Sequence, residues 1–179
     1  APQDLRERFT RLCDQEILAH GEGFALTSAF KRLLSETGRG GSDREAIEFA
    51  EAFRSATTKR LSARPYSIPL LNALRRCGLR LALVSNTEGI VTHHDIGRLG
   101  LARHFDAVVL SSESGSKKPS PAIFEKALRS LSARPDDAVF VGDTWETDIE
   151  GALRAGLRAV YLDPTLPPLA FRRDDHEAR

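Results

Sequence analysis

No apolar run in this sequence approaches the roughly 18 residues that a membrane-spanning helix requires. Net charge is nearly absent too, with 26 Lys and Arg set against 25 Asp and Glu to leave +1. A dedicated nucleic-acid binder concentrates positive charge on one face, and this balance argues against one. Cysteine is scarce. Cys13 and Cys77 are too few for a disulfide framework, and both fall in apolar helical settings that suit buried structural thiols. The first residues, Ala1-Pro2-Gln3-Asp4, lack the basic, apolar and small-residue blocks of a secretory signal. Methionine is missing altogether, and neither an internal repeat nor a low-complexity tract is found. What is present, 41% hydrophobic and 28% charged residues over 179 positions, gives room for one domain or for a core with a small accessory unit. These features predict a globular cytoplasmic protein with no membrane and no nucleic-acid partner. They leave oligomeric state open.

Two patterns divide the chain. Up to about residue 66, Leu5, Phe9, Leu12, Cys13 and Ile17 line one helical face, and Leu26, Phe30, Leu33 and Leu34 line a second. Ser42 and Glu45 have the spacing of a capping box and open a third helix running through Ile47, Ala50, Phe53, Thr57 and Leu61. From Ser67 the pattern alternates. Pro69 lies in the first turn of a helix that Gly78 ends, and the apolar run Leu79 to Val84 follows. Further short strands are predicted at Ala107–Leu110, Ala138–Val141 and Arg158–Leu162, with helices between them reaching Gly100, spanning Pro121–Ser130 and ending at Ala155. Strands alternating with helices predict βαβ units, hence an α/β fold with a parallel sheet flanked by helices on both faces. The expected organisation is a helical unit over 1–66, an α/β core over 67–165 and a loose charged tail over 166–179.

In an open parallel sheet, ligands bind beyond the carboxyl ends of the strands. Ser85-Asn86-Thr87 follows the first strand, and Ser111-Ser112-Glu113 follows the second, with a Gly-Ser loop leading to Lys117-Lys118-Pro119. Gly142-Asp143-Thr144-Trp145-Glu146-Thr147-Asp148 follows the third. Asp143 and Asp148 are five residues apart across a turn that opens a helix, so both carboxylates can face one pocket. Hard Mg²⁺ takes oxygen ligands of this kind together with water and phosphate. Ser85 and Asn86 offer a hydroxyl, an amide and a helix N-terminus to a phosphate oxygen. A loop lysine would offset negative charge in phosphoryl transfer. Each feature has an ordinary structural reading as a helix cap or a solvated charge. Their common location at one sheet edge favours a shared role. His93 and His94 are adjacent, diverge on a helix and make a poor metal pair.

These residues resemble the haloacid dehalogenase-like (HAD) hydrolase superfamily, in its subclass with a helical cap. Ser85-Asn86-Thr87 is similar to that family's second motif, Lys118-Pro119 with Ser120 to Phe124 to its third, and Gly142-Asp143 through Asp148 with Gly151-Ala152 to its fourth. The resemblance covers roughly residues 67 to 162 and implies a Rossmann-like core with an all-helical cap on its N-terminal side. It implies that Ser85 holds the transferred phosphate, Asn86 orients it, and Lys118 (Lys117 as second choice) stabilises phosphate and nucleophile. Asp143 would bind Mg²⁺, with Asp148 as a further ligand or as its anchor. The implied activity is that of a Mg²⁺-dependent phosphatase acting on a small phosphorylated metabolite through an aspartyl-phosphate. The acidic pair favours this over dehalogenation, which needs no metal. In the family the cap selects the substrate, and Phe24, Phe30 and Tyr66 are by position candidates to line the entrance, while Trp145 either packs or faces the substrate.

The family's first motif is an Asp-x-Asp turn closing the first core strand, where one Asp is nucleophile and the other acid and base. No Asp-x-Asp occurs in the 179 residues, and no strand is predicted before the helical section. Three arrangements would account for this. The strand precedes Ala1 in a longer protein; or this is a non-catalytic relative with a binding or regulatory role; or a partner chain donates the strand. Without that central strand, the given residues are expected to leave a gap between the strands ending at Ser85 and Gly142.

Overall fold

A computed structural model describes residues 2–20, 26–58, 61–163 and 165. The predicted tail, Phe24 and the glycines at 21 and 23 lie outside the described residues. The helical pattern of the first section resolves into α1 (Pro2–His20), α2 (Leu26–Glu36) and α3 (Asp43–Thr57). α3 begins where its capping box places it: the Glu45 N–H donates to the Ser42 hydroxyl oxygen, and the Glu45 carboxylate accepts from the Ser42 N–H at 3.0 Å. These bonds, first that from the Ser42 hydroxyl, hold the Glu45 carboxyl down at about 2. The helix stops before Leu61, the end the apolar spacing suggests, and its C-cap is Thr58.

Phe30 is the centre of this helical part, 1% exposed and stacked on Phe9 with ring centroids 4.6 Å apart. Phe49 meets it edge-on at 5.3 Å. Phe30 is therefore a core residue and does not face an entrance, a correction to its expected role; α-helical spacing alone marks the buried face without saying which residue lies deepest. Leu12, Ala29 and Leu33 form a second, smaller cluster beside it.

The alternating section follows with α4 (Ser67–Arg76), β1 (Ala82–Ser85), α5 (Gly89–Arg98), β2 (Ala107–Leu110), α6 (Ser111–Ser114), α7 (Pro121–Leu131), β3 (Val139–Gly142), α8 (Glu150–Arg154) and β4 (Arg158–Tyr161). β1 starts later than the apolar run suggests, because Leu79 and Arg80 are exposed and only the segment from Ala82 pairs with a neighbour. α6 has no sequence signal. Cys77 is exposed at the C-cap of α4, and Cys13 is only partly buried, so neither is the fully buried thiol the sequence suggests. Burial still pushes the Cys13 thiol above its usual range.

The strands pair in parallel as β1 with β2 and β3 with β4, which gives two two-stranded sheets among the described residues. One apolar cluster serves both. Ile123, Phe124, Ala127 and Leu128 of α7 pack with Val109, Ala152 and Leu157, and touch Ala82 and Val84 of β1 as well as Phe140 and Ala159. The opposite face of β3–β4 carries Val139, Val141 and Val160, at 49%, 53% and 45% exposure. β1 and β3 thus sit in separate sheets over a common helix, with their carboxyl ends on the same side.

Candidate functional site

Asn86 stands directly after β1, and both ends of its side-chain amide are engaged. Its Nδ2 donates to the Lys118 carbonyl at 2.9 Å, and its Oδ1 accepts from the Lys118 N–H at 2.8 Å. One side chain thereby fixes both main-chain groups of a residue 32 positions away. The Lys118–Pro119 peptide is cis.

From that fixed main chain, the Lys118 ammonium reaches Asp148 Oδ1 at 2.6 Å, with side-chain exposures of 13% and 5%. It also lies over the Phe140 ring, 5.6 Å from the centroid. A charge-assisted bond this short and this sheltered fixes both partners, since neither has water to turn to. Lys118 is thus the lysine held against Asp148.

The second oxygen of Asp148 is occupied as well. Oδ2 accepts from the Asp143 N–H at 3.1 Å and from the Thr144 N–H at 3.2 Å, so the carboxylate closes the loop it belongs to. Gly142 makes this possible, because a Cβ there would stand 2.4 Å from the Asp148 Cβ. The loop continues as a π-helical turn over Trp145–Ile149 before α8, a distortion common beside functional sites. Gly151 then lets α8 press against the lysine loop; a Cβ there would lie 2.9 Å from the Pro119 Cα.

The two aspartates therefore differ. Asp148 is buried with both oxygens engaged, whereas Asp143 is exposed and its carboxylate has no partner among the described residues. The Ser85 hydroxyl, at the end of β1 opposite Leu110, likewise makes no bond to the described residues. Among the described residues no three carboxylate, imidazole or thiol groups converge on a point. As a donor set, Asp143 supplies one free hard oxygen ligand, which fits Mg²⁺ if substrate and a further carboxylate complete the sphere.

Contacts that the sequence did not reveal surround this centre. The Gly89 N–H at the start of α5 donates to the Ser112 hydroxyl at 2.9 Å, and His93 meets Glu113 at 2.9 Å. His94 turns the other way, to Ser55 at 3.1 Å, so the two histidines do diverge. Arg54 of α3 pairs with Asp95 of α5, and Ile90 packs on the cluster around Phe30. Glu88 accepts from the Leu26 N–H; burial, only partly opposed by that bond, raises its carboxyl above the usual range. Helix α5 thus carries the Ser85-Asn86 turn at one end and the helical part along its side. These pairs join segments far apart in sequence, where no short-range spacing could signal them. Trp145 packs edge-on to Tyr161 at 5.7 Å and remains half exposed, as does Tyr66.

Comparison with known proteins places this geometry in context. A family model described as haloacid dehalogenase-like hydrolase matches residues 3–162. A phosphoserine phosphatase of Thermus thermophilus is 37% identical over 153 residues, covering 86% of this chain and 60% of the relative. A glyceraldehyde 3-phosphate phosphatase of Methanopyrus kandleri is 40% identical over 107 residues, 59% of this chain and 46% of the relative. Among solved structures, a 2-haloacid dehalogenase from Pseudomonas syringae pv. Tomato superimposes with a TM-score of 0.65 at 29% identity, covering 94% of this chain and 72% of the other. A phosphatase from Thermococcus onnurineus gives 0.62 at 26% identity, with 96% and 80% coverage. The chain spans about half to three-fifths of the length of these curated relatives. No helix of the described residues is long and apolar enough to cross a membrane.

Proposed function

Because the chain belongs to the haloacid dehalogenase-like hydrolase family, we propose that it is the greater part of a Mg²⁺-dependent phosphatase for small phosphomonoesters. The observation that carries the proposal is the chain of hydrogen bonds Asn86–Lys118–Asp148–Asp143, which fixes one cation beside the main chain of one free carboxylate at the ends of two strands. The relatives named as phosphatases of phosphoserine and glyceraldehyde 3-phosphate support the substrate class.

In this reading 1–66 is the helical cap, 67–165 the core and 166–179 the tail. Ser85 and the α5 N-terminus receive phosphate oxygens, and Lys118 offsets their charge. Asp143 holds Mg²⁺, with Asp148 as its anchor. The metal supplies charge neutralisation of the phosphoryl oxygens when bound. The attacking carboxylate comes from a strand preceding Ala1, seated between β1 and β3, whose facing edges belong to separate sheets. Its oxygen forms a bond to phosphorus as the ester P–O bond breaks, and the alcohol leaves with a proton given by the second carboxylate of that strand, which later takes one back from the attacking water. Water then cleaves the aspartyl-phosphate to release inorganic phosphate.

The test begins with the intact mass of the protein from its native source, against 19.7 kDa for these residues. A strand with its turn adds about 10–20 residues, and a protein with that excess should release phosphate from small phosphomonoesters only with Mg²⁺. Asp143→Asn should abolish that turnover while the melting temperature holds, because its carboxylate makes no contact that supports the fold. Turnover unchanged by Asp143→Asn would overturn the assignment. A native mass of 19.7 kDa would leave the binding role, or a strand donated by a partner.

A further inference from the structure

The amino ends of β1 and β2 lie at the opposite edge of the core from the site above, and they carry a cluster of cations of their own. Asp106, just before β2, accepts from the Leu81 N–H at 2.8 Å and from Arg75 Nη1 at 3.0 Å. The same Arg75 nitrogen donates to the His104 carbonyl at 3.0 Å. These partners, first the Leu81 N–H and then Arg75, hold the Asp106 carboxyl below the usual range. Beside this junction an open groove of about 450 Å³ is lined by Asn72, Arg75, Arg76, Arg103 and His104.

Charge in the groove does not balance. Arg75 is answered by Asp106, but Arg76 and Arg103 have no carboxylate partner among the described residues. Arg103 Nε instead donates to Nε2 of the buried His104 ring at 3.4 Å, and both residues line the groove. Arg75 and Arg76 in the last turn of α4 complement the helix dipole, an ordinary reason for basic residues there. That reason does not extend to Arg103, which comes from the separate turn Ala102–His104.

We propose that this groove binds a small polyphosphate-type anion, with Arg76 and Arg103 each forking onto one phosphoryl group and Asn72 donating its amide between them. Guanidinium forks match phosphate oxygens in pairs. The volume admits a ligand of two phosphoryl groups with a modest organic portion. Its position at the strand amino ends separates it from the Ser85–Lys118 edge, so occupancy there does not compete with a substrate at the other edge. The inference stands independently of the phosphatase reading.

The experiment is a calorimetric titration of residues 1–179 with inorganic pyrophosphate at physiological ionic strength, with side-chain NMR of the arginine Nε–H groups alongside. Saturable binding is expected, with Arg76 and Arg103 resonances shifting together. Arg76→Ala and Arg103→Ala, both at exposed positions, should each weaken it about tenfold or more. Ser85→Ala should leave it intact. Binding that survives the Arg76→Ala/Arg103→Ala double variant, or that disappears in Ser85→Ala, would place the anion at the other edge and overturn the proposal. So would no saturable binding at millimolar pyrophosphate, or capture of a single-stranded oligonucleotide in its stead.

Discussion

The helical part and the α/β part of this chain are stabilised by different means. α1–α3 close over stacked phenylalanines with Phe30 at the centre, and an ion pair with a buried partner, Glu16 with the half-exposed Arg32 at 2.9 Å, lies outside that aromatic cluster. The α/β part has an apolar cluster of smaller side chains under α7, and above it a buried ion pair tied to main-chain groups. Apolar packing tolerates exchange of one shape for another of similar volume. A buried ion pair tolerates the loss of neither partner. The aromatic cluster around Phe30 is thus freer to vary than the Lys118–Asp148 pair.

That contrast breaks first at Phe30. Phe30→Ala should cost about 3–5 kcal/mol, most of it in the helical part, because among the described residues the cluster around Phe30 contains no strand residue and reaches the α/β part only through Ile90. The single tryptophan, Trp145, reports the α/β part. Far-UV circular dichroism should show an early loss of helix while the Trp145 fluorescence transition stays in place; a joint shift of both would show that the two parts melt as one. Lys118→Ala is the converse. It leaves Asp148 charged and buried, and should cost about 3 kcal/mol, near the low end for a broken buried pair because the lysine is not wholly enclosed. Here the Trp145 transition should move and the helical signal should not. Lys118→Arg should not restore it, since Asp148 Oδ1 is met by a point charge in a confined space.

Acid gives the smallest effect. The Glu45 carboxyl is held at about 2 in the folded helix against an ordinary 4.5, so its contribution is present above 4.5 and is lost as pH falls through about 2. α3 should fray over that window in the wild type, as followed by amide exchange of its first turn. Ser42→Ala, which removes about 1 kcal/mol of capping, should flatten the dependence. An unchanged acid limb in that variant would show that the box does not govern α3.

Local chemistry announced the elements well. Pro69, Gly78, Pro121 and the Ser42–Glu45 pair each mark a boundary that the structure respects, because caps and breakers act within a few residues. The strand-end residues Ser85, Asn86, Lys118, Asp143 and Asp148 were legible too, since parallel strands deliver their following turns to one edge. Their division of labour was not. That Asp148 spends both oxygens on Lys118 and the Asp143–Thr144 main chain, while Asp143 keeps its own free, depends on tertiary distance. Phe30 went to the core and Cys77 to the surface for the same reason: periodicity names a face, and packing decides its depth. The α5 contacts with Ser55, Arg54 and Leu26 link separate sections, and nothing near them in sequence hints at the pairing.

The amide of Asn86 has a consequence for how this protein ages. Its nitrogen and its oxygen are assigned to different atoms of Lys118, one donating and one accepting. Spontaneous deamidation would swap the nitrogen for an oxygen of nearly the same size. The shape would survive, but two acceptors would then face each other across the old Nδ2 bond, and the loop holding the lysine would lose half its clasp. Protein deamidated at Asn86 should lose its strand-end site before it loses its fold, and should show a mass gain of about one dalton together with one added negative charge.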